Sequence, residues 1–186
     1  MKIGLVGEAP LDTMSIKTIL GKKYSNLEFV ELLKNIITGS ILENQTTKTK
    51  LRLECSIHRP DIVIFIRDLD GLLTKKYRKQ RLLRQKYYRE FKGCTHTKKT
   101  IYLLNIWEIE ALILSDINCF NQYYKSNETF ALDPMKIPEP KEFLYNLNKK
   151  YSESHNSKIL EKSDFYTIYN NCLYFQRFIN DFEKLL

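Results

Sequence analysis

The chain has 186 residues, 43% of them apolar and 12% aromatic, enough for one packed domain with at most a small helical appendage. Its formal net charge is +8, and no stretch reaches the roughly 18 to 20 apolar residues of a membrane span, so a spanning helix is excluded and a polyanionic partner is favoured. Cys55, Cys94, Cys119 and Cys172 are far apart without CxxC pairing, and His58, His96 and His155 are isolated, which argues against a disulfide frame or zinc site.

Lys2 to Val6 reads as a buried strand. No long apolar region with a small-residue cleavage site follows MKIGLVGE, so a secretory leader is not expected and free thiols in a reducing cytoplasm are. Glu8 follows this strand in IGLVGEAPLD, and Thr13 to Leu20 starts a helix with Asp12 or Thr13 as its cap, which leaves Glu8 free for chemistry. Asn26 to Ile37 is mixed, strand then helix, and Ser40 to Arg59 is polar and helical at best. Asp61 to Ile66 is a continuous β-branched run, the pattern of a central strand covered on both faces. Asp68 and Asp70 leave its end pointing the same way if the extended geometry continues. Two like charges that close repel, so a bound cation is the natural explanation, and an Asp-Gly turn the plain one.

Lys75 to Lys92 holds nine Lys/Arg and one acid, a net +8 that equals the charge of the whole chain. The basic character is therefore local. Lys75, Lys76, Arg78, Lys79, Arg81, Arg84, Lys86 and Arg89 are expected to meet phosphate, against the plain alternative of a solvated helix face. Leu83, Tyr87 and Phe91 recur every four residues and predict the packed side of a helix over Thr74 to Phe91, with Arg84 among the exposed positions.

Thr100 to Leu104 reads as a short strand and Trp107 to Ile117 as a buried helix, with Trp107 in the core. Glu110 and Asp116 sit among Ile109, Ala111, Leu112, Ile113 and Leu114, where acids are usually paired or functional, while Glu108 is read as exposed. Asp133-Pro134 and Ile137-Pro138-Glu139-Pro140 mark a boundary. Beyond it Lys141 to Lys150 and Asp164 to Leu186 look helical, the latter with an apolar stripe of Phe165, Ile168, Cys172, Phe175, Ile179 and Phe182. Strands alternating with helices predict an α/β fold with a mostly parallel sheet, residues 1–132, and a helical extension packed on it, residues 133–186.

Open parallel sheets bind ligands beyond the carboxyl ends of their strands. Acids placed there on a basic chain predict Mg²⁺ or Mn²⁺ held against phosphate. The expected ligands are Glu8, Asp12, Asp68, Asp70, Glu110 and Asp116, and the expected chemistry falls to Glu8, Asp68 and Asp70.

A glutamate in the first strand–helix loop followed by a later Asp-x-Asp resembles the Toprim domain of topoisomerases, bacterial primases and OLD-family nucleases. The spacing Glu8-x-x-x-Asp12 is similar to the first acidic motif of the OLD type, and WEIEALILSD and LYFQRFINDF resemble the matching segments of small Toprim-like proteins, the DUF4276 family. The resemblance covers the whole chain loosely. It implies acid/base chemistry at Glu8, magnesium at Asp68 and Asp70, and a metal-dependent nuclease of DNA or RNA, the effector of an antiphage system. It also implies an ATP-hydrolysing partner; the chain has no GxxxxGK[ST] loop and is not expected to be that ATPase itself. A homodimer is a further open expectation. The alternatives are a subunit that binds nucleic acid or a partner protein with purely structural carboxylates, and a phosphatase, because Asp68-Leu-Asp70-Gly71-Leu72-Leu73-Thr74 is also similar to the haloacid dehalogenase motif.

Overall fold

The structure, a computed structural model, describes residues 1–34, 44–69, 75–130 and 133–186, with the backbone alone at 75 and 76. Four parallel strands form its sheet: β1 (Lys2–Val6), β2 (Glu28–Leu32), β3 (Ile62–Leu69) and β4 (Thr100–Ile106), in the order β2-β1-β3-β4. Helix α1 (Pro10–Lys23) connects β1 to β2, α2 (Gln45–His58) precedes β3, and α3 (Lys75–Lys92) joins β3 to β4. The chain leaves β1 towards one edge and later returns to its other side. The order of strands therefore reverses between β1 and β3, which makes their carboxyl ends the crevice of the sheet.

Alternation along the strands divides the core in two. Ile62, Ile64 and Ile66 of β3 face Ile16, Ile19 and Leu20 of α1, and Val63 and Phe65 face Leu51 and Cys55 of α2 and Phe91 of α3. Both faces of β3 are covered, as its unbroken apolar run demands. Gly4 and Gly7 keep β1 close to its neighbours: a Cβ at Gly4 would lie 2.9 Å from Leu32 Cδ1, and one at Gly7 2.8 Å from Thr13 Cγ2. The second approach sets the start of α1 hard against the loop that carries Glu8.

Helix α1 starts three residues earlier than the sequence pattern suggests. Ala9 is its N-cap residue and Pro10 its first residue, a position where proline's missing N–H costs nothing. Asp12 lies inside the first turn and accepts the Ala9 N–H at 3.3 Å. The segment after β4 is not one helix. Trp107 has φ 73°, its N–H donates to Leu69 O at 2.8 Å, and its indole donates to Met135 O at 3.2 Å. The turn thus made ends the strand, leaves Trp107 half-buried, and delivers the chain to α4 (Glu110–Ser115) and α5 (Ile117–Tyr124), which meet at a break in Asp116.

After a short turn at Pro134–Lys136 come α6 (Pro140–Leu147), α7 (Asn156–Leu160), α8 (Phe165–Asn171) and α9 (Leu173–Glu183). The expected apolar stripe is buried, but Cys172 at φ −119°, ψ 95° splits it between two helices. Ile159, Leu160, Phe165, Phe175 and Phe182 share one core with Ile16, Ile64 and Leu112. The helical region is thus packed on the α1 face of the sheet. Lys23 fastens α1 to it: its ammonium ion-pairs with Glu183 at 2.6 Å and stands 5.2 to 5.9 Å from the ring centres of Tyr24, Phe165, Tyr166 and Tyr169.

Candidate functional site

At the crevice between β1 and β3, Glu8 Oε1 accepts the Asp68 backbone N–H at 3.2 Å and pairs with the Arg67 guanidinium. Arg67 and Asp68 are successive strand residues and project to opposite faces. Arg67 is 5% exposed, so its charge needs the Glu8 carboxylate that meets it at the strand end. Asp68 lies opposite Asn105 in the β3–β4 register, and Asn105 Nδ2 donates to Asp68 Oδ1 at 2.9 Å. The other polar atom of Asn105, Oδ1, is buried without a hydrogen-bond partner among the described residues.

Two further acids lie within electrostatic reach of this pair. Burial, then Glu110 and Glu8, push the Asp12 carboxyl up to about 7. Burial and then Asp12 raise Asp68 well above the usual carboxylate range, against the opposing pull of the Asn105 amide. Glu110 is 3% exposed and is also raised, chiefly by burial. Its Oε1 accepts Asn156 Nδ2 at 2.9 Å and lies 2.9 Å from the Tyr151 hydroxyl. Glu8, Asp12, Asp68 and Glu110 therefore form one electrostatic group, held by Arg67, Asn105, Tyr151 and Asn156.

The remaining expected acids divide. Asp70 lies outside the described residues, as does all but Asp68-Leu69 of the phosphatase-like motif. Asp116 is not brought to the group: its Oδ2 accepts the Asp164 N–H at 2.8 Å and so holds the start of α8. Glu108 precedes α4 and is half-buried rather than exposed. Burial, followed by Glu110 and Glu142, raises its carboxyl to about 7. Among the described residues, no three carboxyl, imidazole or thiol groups stand close enough to hold an ion as they are. In kind, though, the donors suit a hard cation: carboxylate oxygens and the buried, unpartnered carbonyl oxygen of Asn105.

Helix α3 packs on the other face of β3, against Val63 and Phe65. Arg78, Lys79, Arg81, Lys86 and Arg89 are exposed, Lys86 within electrostatic reach of Glu90, whose carboxylate pairs with Lys48. Lys75 and Lys76 head the helix, their side chains outside the described residues. Arg84 is half-buried, not exposed, and Leu83 is 42% exposed rather than packed. A spacing of four advances 40° per step around a helix, so Leu83 and Phe91 cannot share one narrow face. Phe91 and Tyr87 keep that face, and Tyr88 joins them in place of Leu83, stacked on Tyr102 with ring centres 4.9 Å apart.

Arg67, Asn105, Tyr151 and Asn156 escaped the motif reading. A charged residue inside the buried run IVIFIRDL, and an amide ending YLLN, were signals within the sequence. Tyr151 and Asn156 carried none, because only the tertiary fold brings them to Glu110.

An open parallel sheet with acids at the reversal of its strand order defines an α/β protein with an acidic crevice site. Over residues 12–183 the chain matches the model of a family described as Domain of unknown function (DUF4276), and it belongs to that family. No curated protein and no solved structure matches it.

Proposed function

We propose that the protein is a Toprim-like, Mg²⁺- or Mn²⁺-dependent nuclease that cleaves phosphodiester bonds of DNA or RNA. The observation that carries this reading is the meeting of Glu8 and Asp68 at the crevice between β1 and β3, with Asp12 and Glu110 within electrostatic reach of them. Four acids gathered in a half-buried site repel one another, and a divalent cation offsets that repulsion. The exposed cations of α3 supply the complementary feature, a surface for the phosphate backbone.

The ion would be held by Asp68 with Glu8, Asp12, Glu110 or Asp70. When bound, it supplies charge neutralisation at the phosphoryl oxygens and a water acidic enough to attack. The chain's own residues do the rest. Arg67 fixes the Glu8 carboxylate. Asn105 orients Asp68 by donating to one oxygen. Tyr151 and Asn156 aim Glu110. Asp12, raised to about 7, is matched to accept a proton at neutral pH. The effector role in antiphage defence, and the ATP-hydrolysing partner, rest on the resemblance alone.

The test is cleavage of labelled single- and double-stranded DNA and RNA with Mg²⁺, Mn²⁺ or EDTA, alongside Mn²⁺ binding followed by electron paramagnetic resonance. Expected are divalent-dependent cleavage and Mn²⁺ binding, both lost in Asp68→Ala. A protein that binds no Mn²⁺ and cuts nothing, with an Asp68→Ala mutant of clearly lower stability, would mean that the acids are structural.

A further inference from the structure

Along the free edge of β4 lies a cleft of about 850 Å³, outside the acidic group. Its size is that of a small-molecule site. Strand alternation relates the two: Leu104 and Ile106 line the cleft, and Asn105 between them turns to Asp68. Tyr77 and Phe130 add aromatic surface, and the charged lining is three cations, Arg81, Lys136 and Arg177, to one acid, Asp133. Tyr77 and Arg81 belong to α3, so the basic surface continues into the cleft.

Tyr174 also lines it. This residue is 8% exposed, and its hydroxyl has no well-formed hydrogen bond among the described residues. The Cys172 thiol beside it is a weak partner, and Asp68 and Glu110 are within electrostatic reach. A buried hydroxyl so poorly satisfied gains from a ligand's stronger polar atom. The cleft thus offers apolar and aromatic walls, a poorly satisfied polar atom, and cations, close behind the acids.

We propose that this cleft receives an unpaired nucleotide, so that the substrate of the acidic site is single-stranded nucleic acid or a single-stranded end. The inference rests on the nuclease reading for the word substrate. The recognition itself stands on the cleft. Stacking against Tyr77 or Phe130 requires the face of a base, which a base within a duplex does not present. Arg81, Lys136 and Arg177 suit its phosphates, and the Tyr174 hydroxyl suits a polar edge of the base.

Fluorescence anisotropy with the full chain in EDTA separates this from catalysis. The probes are labelled oligothymidylate and a blunt duplex of equal length, each bound by wild type, Tyr77→Ala, Arg177→Ala and Tyr174→Phe. Circular dichroism melting checks that each variant is folded. Tighter binding of the single strand is expected, weakened about 5- to 100-fold by Tyr77→Ala and less by the other two, with duplex binding unchanged. Equal affinity for the two probes, or folded variants that all bind oligothymidylate like wild type, would overturn the proposal. Single-strand preference in a protein that never cleaves would uphold the cleft and sink the nuclease reading instead.

Discussion

Glu110 is the residue whose chemistry depends most on its surroundings. One oxygen is held by Asn156 and Tyr151, and the carboxyl is within electrostatic reach of Asp12. Glu110→Gln keeps the shape and loses the charge, so cleavage is expected to fall by at least about 100-fold with the fold intact. Glu108→Gln, aimed towards Lys141 and Glu142, is expected to keep most activity; a rate assay on the two variants decides. Arg67→Ala leaves Glu8 without its partner at a nearly buried position and is expected to cost about 3 kcal/mol in denaturant unfolding.

The same acids set a pH dependence. A carboxyl raised in the folded state holds its proton there at pH values where the unfolded chain has lost it. For Asp12, raised from 3.8 to about 7, the stabilisation is complete below pH 4 and is lost as pH climbs through 7. Asp68 and Glu110 shift in the same direction. The metal-free protein is therefore expected to melt at a lower temperature at pH 8 than at pH 5.5, with Mg²⁺ restoring stability mainly at pH 8. Melting curves that rise with pH in EDTA would contradict this account.

Helix α3 shows what periodicity can and cannot say. Its existence and its charge were plain in the sequence, and so was the burial of Phe91. The packing of Tyr87 was legible too, but Leu83 was not rightly placed: it looked apolar enough to be inside, while Tyr88 had Tyr102 to stack on, a partner invisible in one dimension. Since Arg84 is half-buried, the proposed phosphate binding would fall to the exposed cations, Arg78, Arg81 and Arg89 among them. Replacing these three with glutamine should lower the salt slope of nucleic-acid binding by about 0.7 to 0.9 for each phosphate no longer neutralised. An unchanged slope assigns the helix to solvent or to an acidic protein. The breaks at Asp116 and Cys172 were also hidden, as both interrupt apolar patterns that continue through them. Glu8, Asp12, Asp68 and Glu110 were legible because carboxylates beside buried strands and helices are out of place unless used. Asn105, Tyr151 and Asn156 were not, because amides and tyrosines are at home in any core.

In the molecule as a whole, the helical region beyond residue 133 shares one core with the sheet it packs on. Its helices complete the core over α1 and β3, and they hold Glu110. A fragment of residues 1–132 would expose Ile16, Ile19 and Leu112, and is expected to be insoluble or molten by circular dichroism, without Mn²⁺ binding. A folded, ion-binding fragment would restore the two-part description.

The order β2-β1-β3-β4 has a bearing on how the chain is made. β1 leaves the ribosome first, yet it ends in the interior of the sheet and must wait for β3, some 60 positions later in the pairing Ile3 with Ile62. The acids follow the same timetable, from Glu8 to the Asn156 amide that holds Glu110. At 5 to 20 residues per second, about 7 to 30 s separate these two ends during synthesis. The nascent chain therefore passes its own message through the ribosome before the crevice can be assembled. Under the nuclease reading proposed above, a site built in this way would stay unassembled, and so inert, until the residues up to Asn156 have emerged.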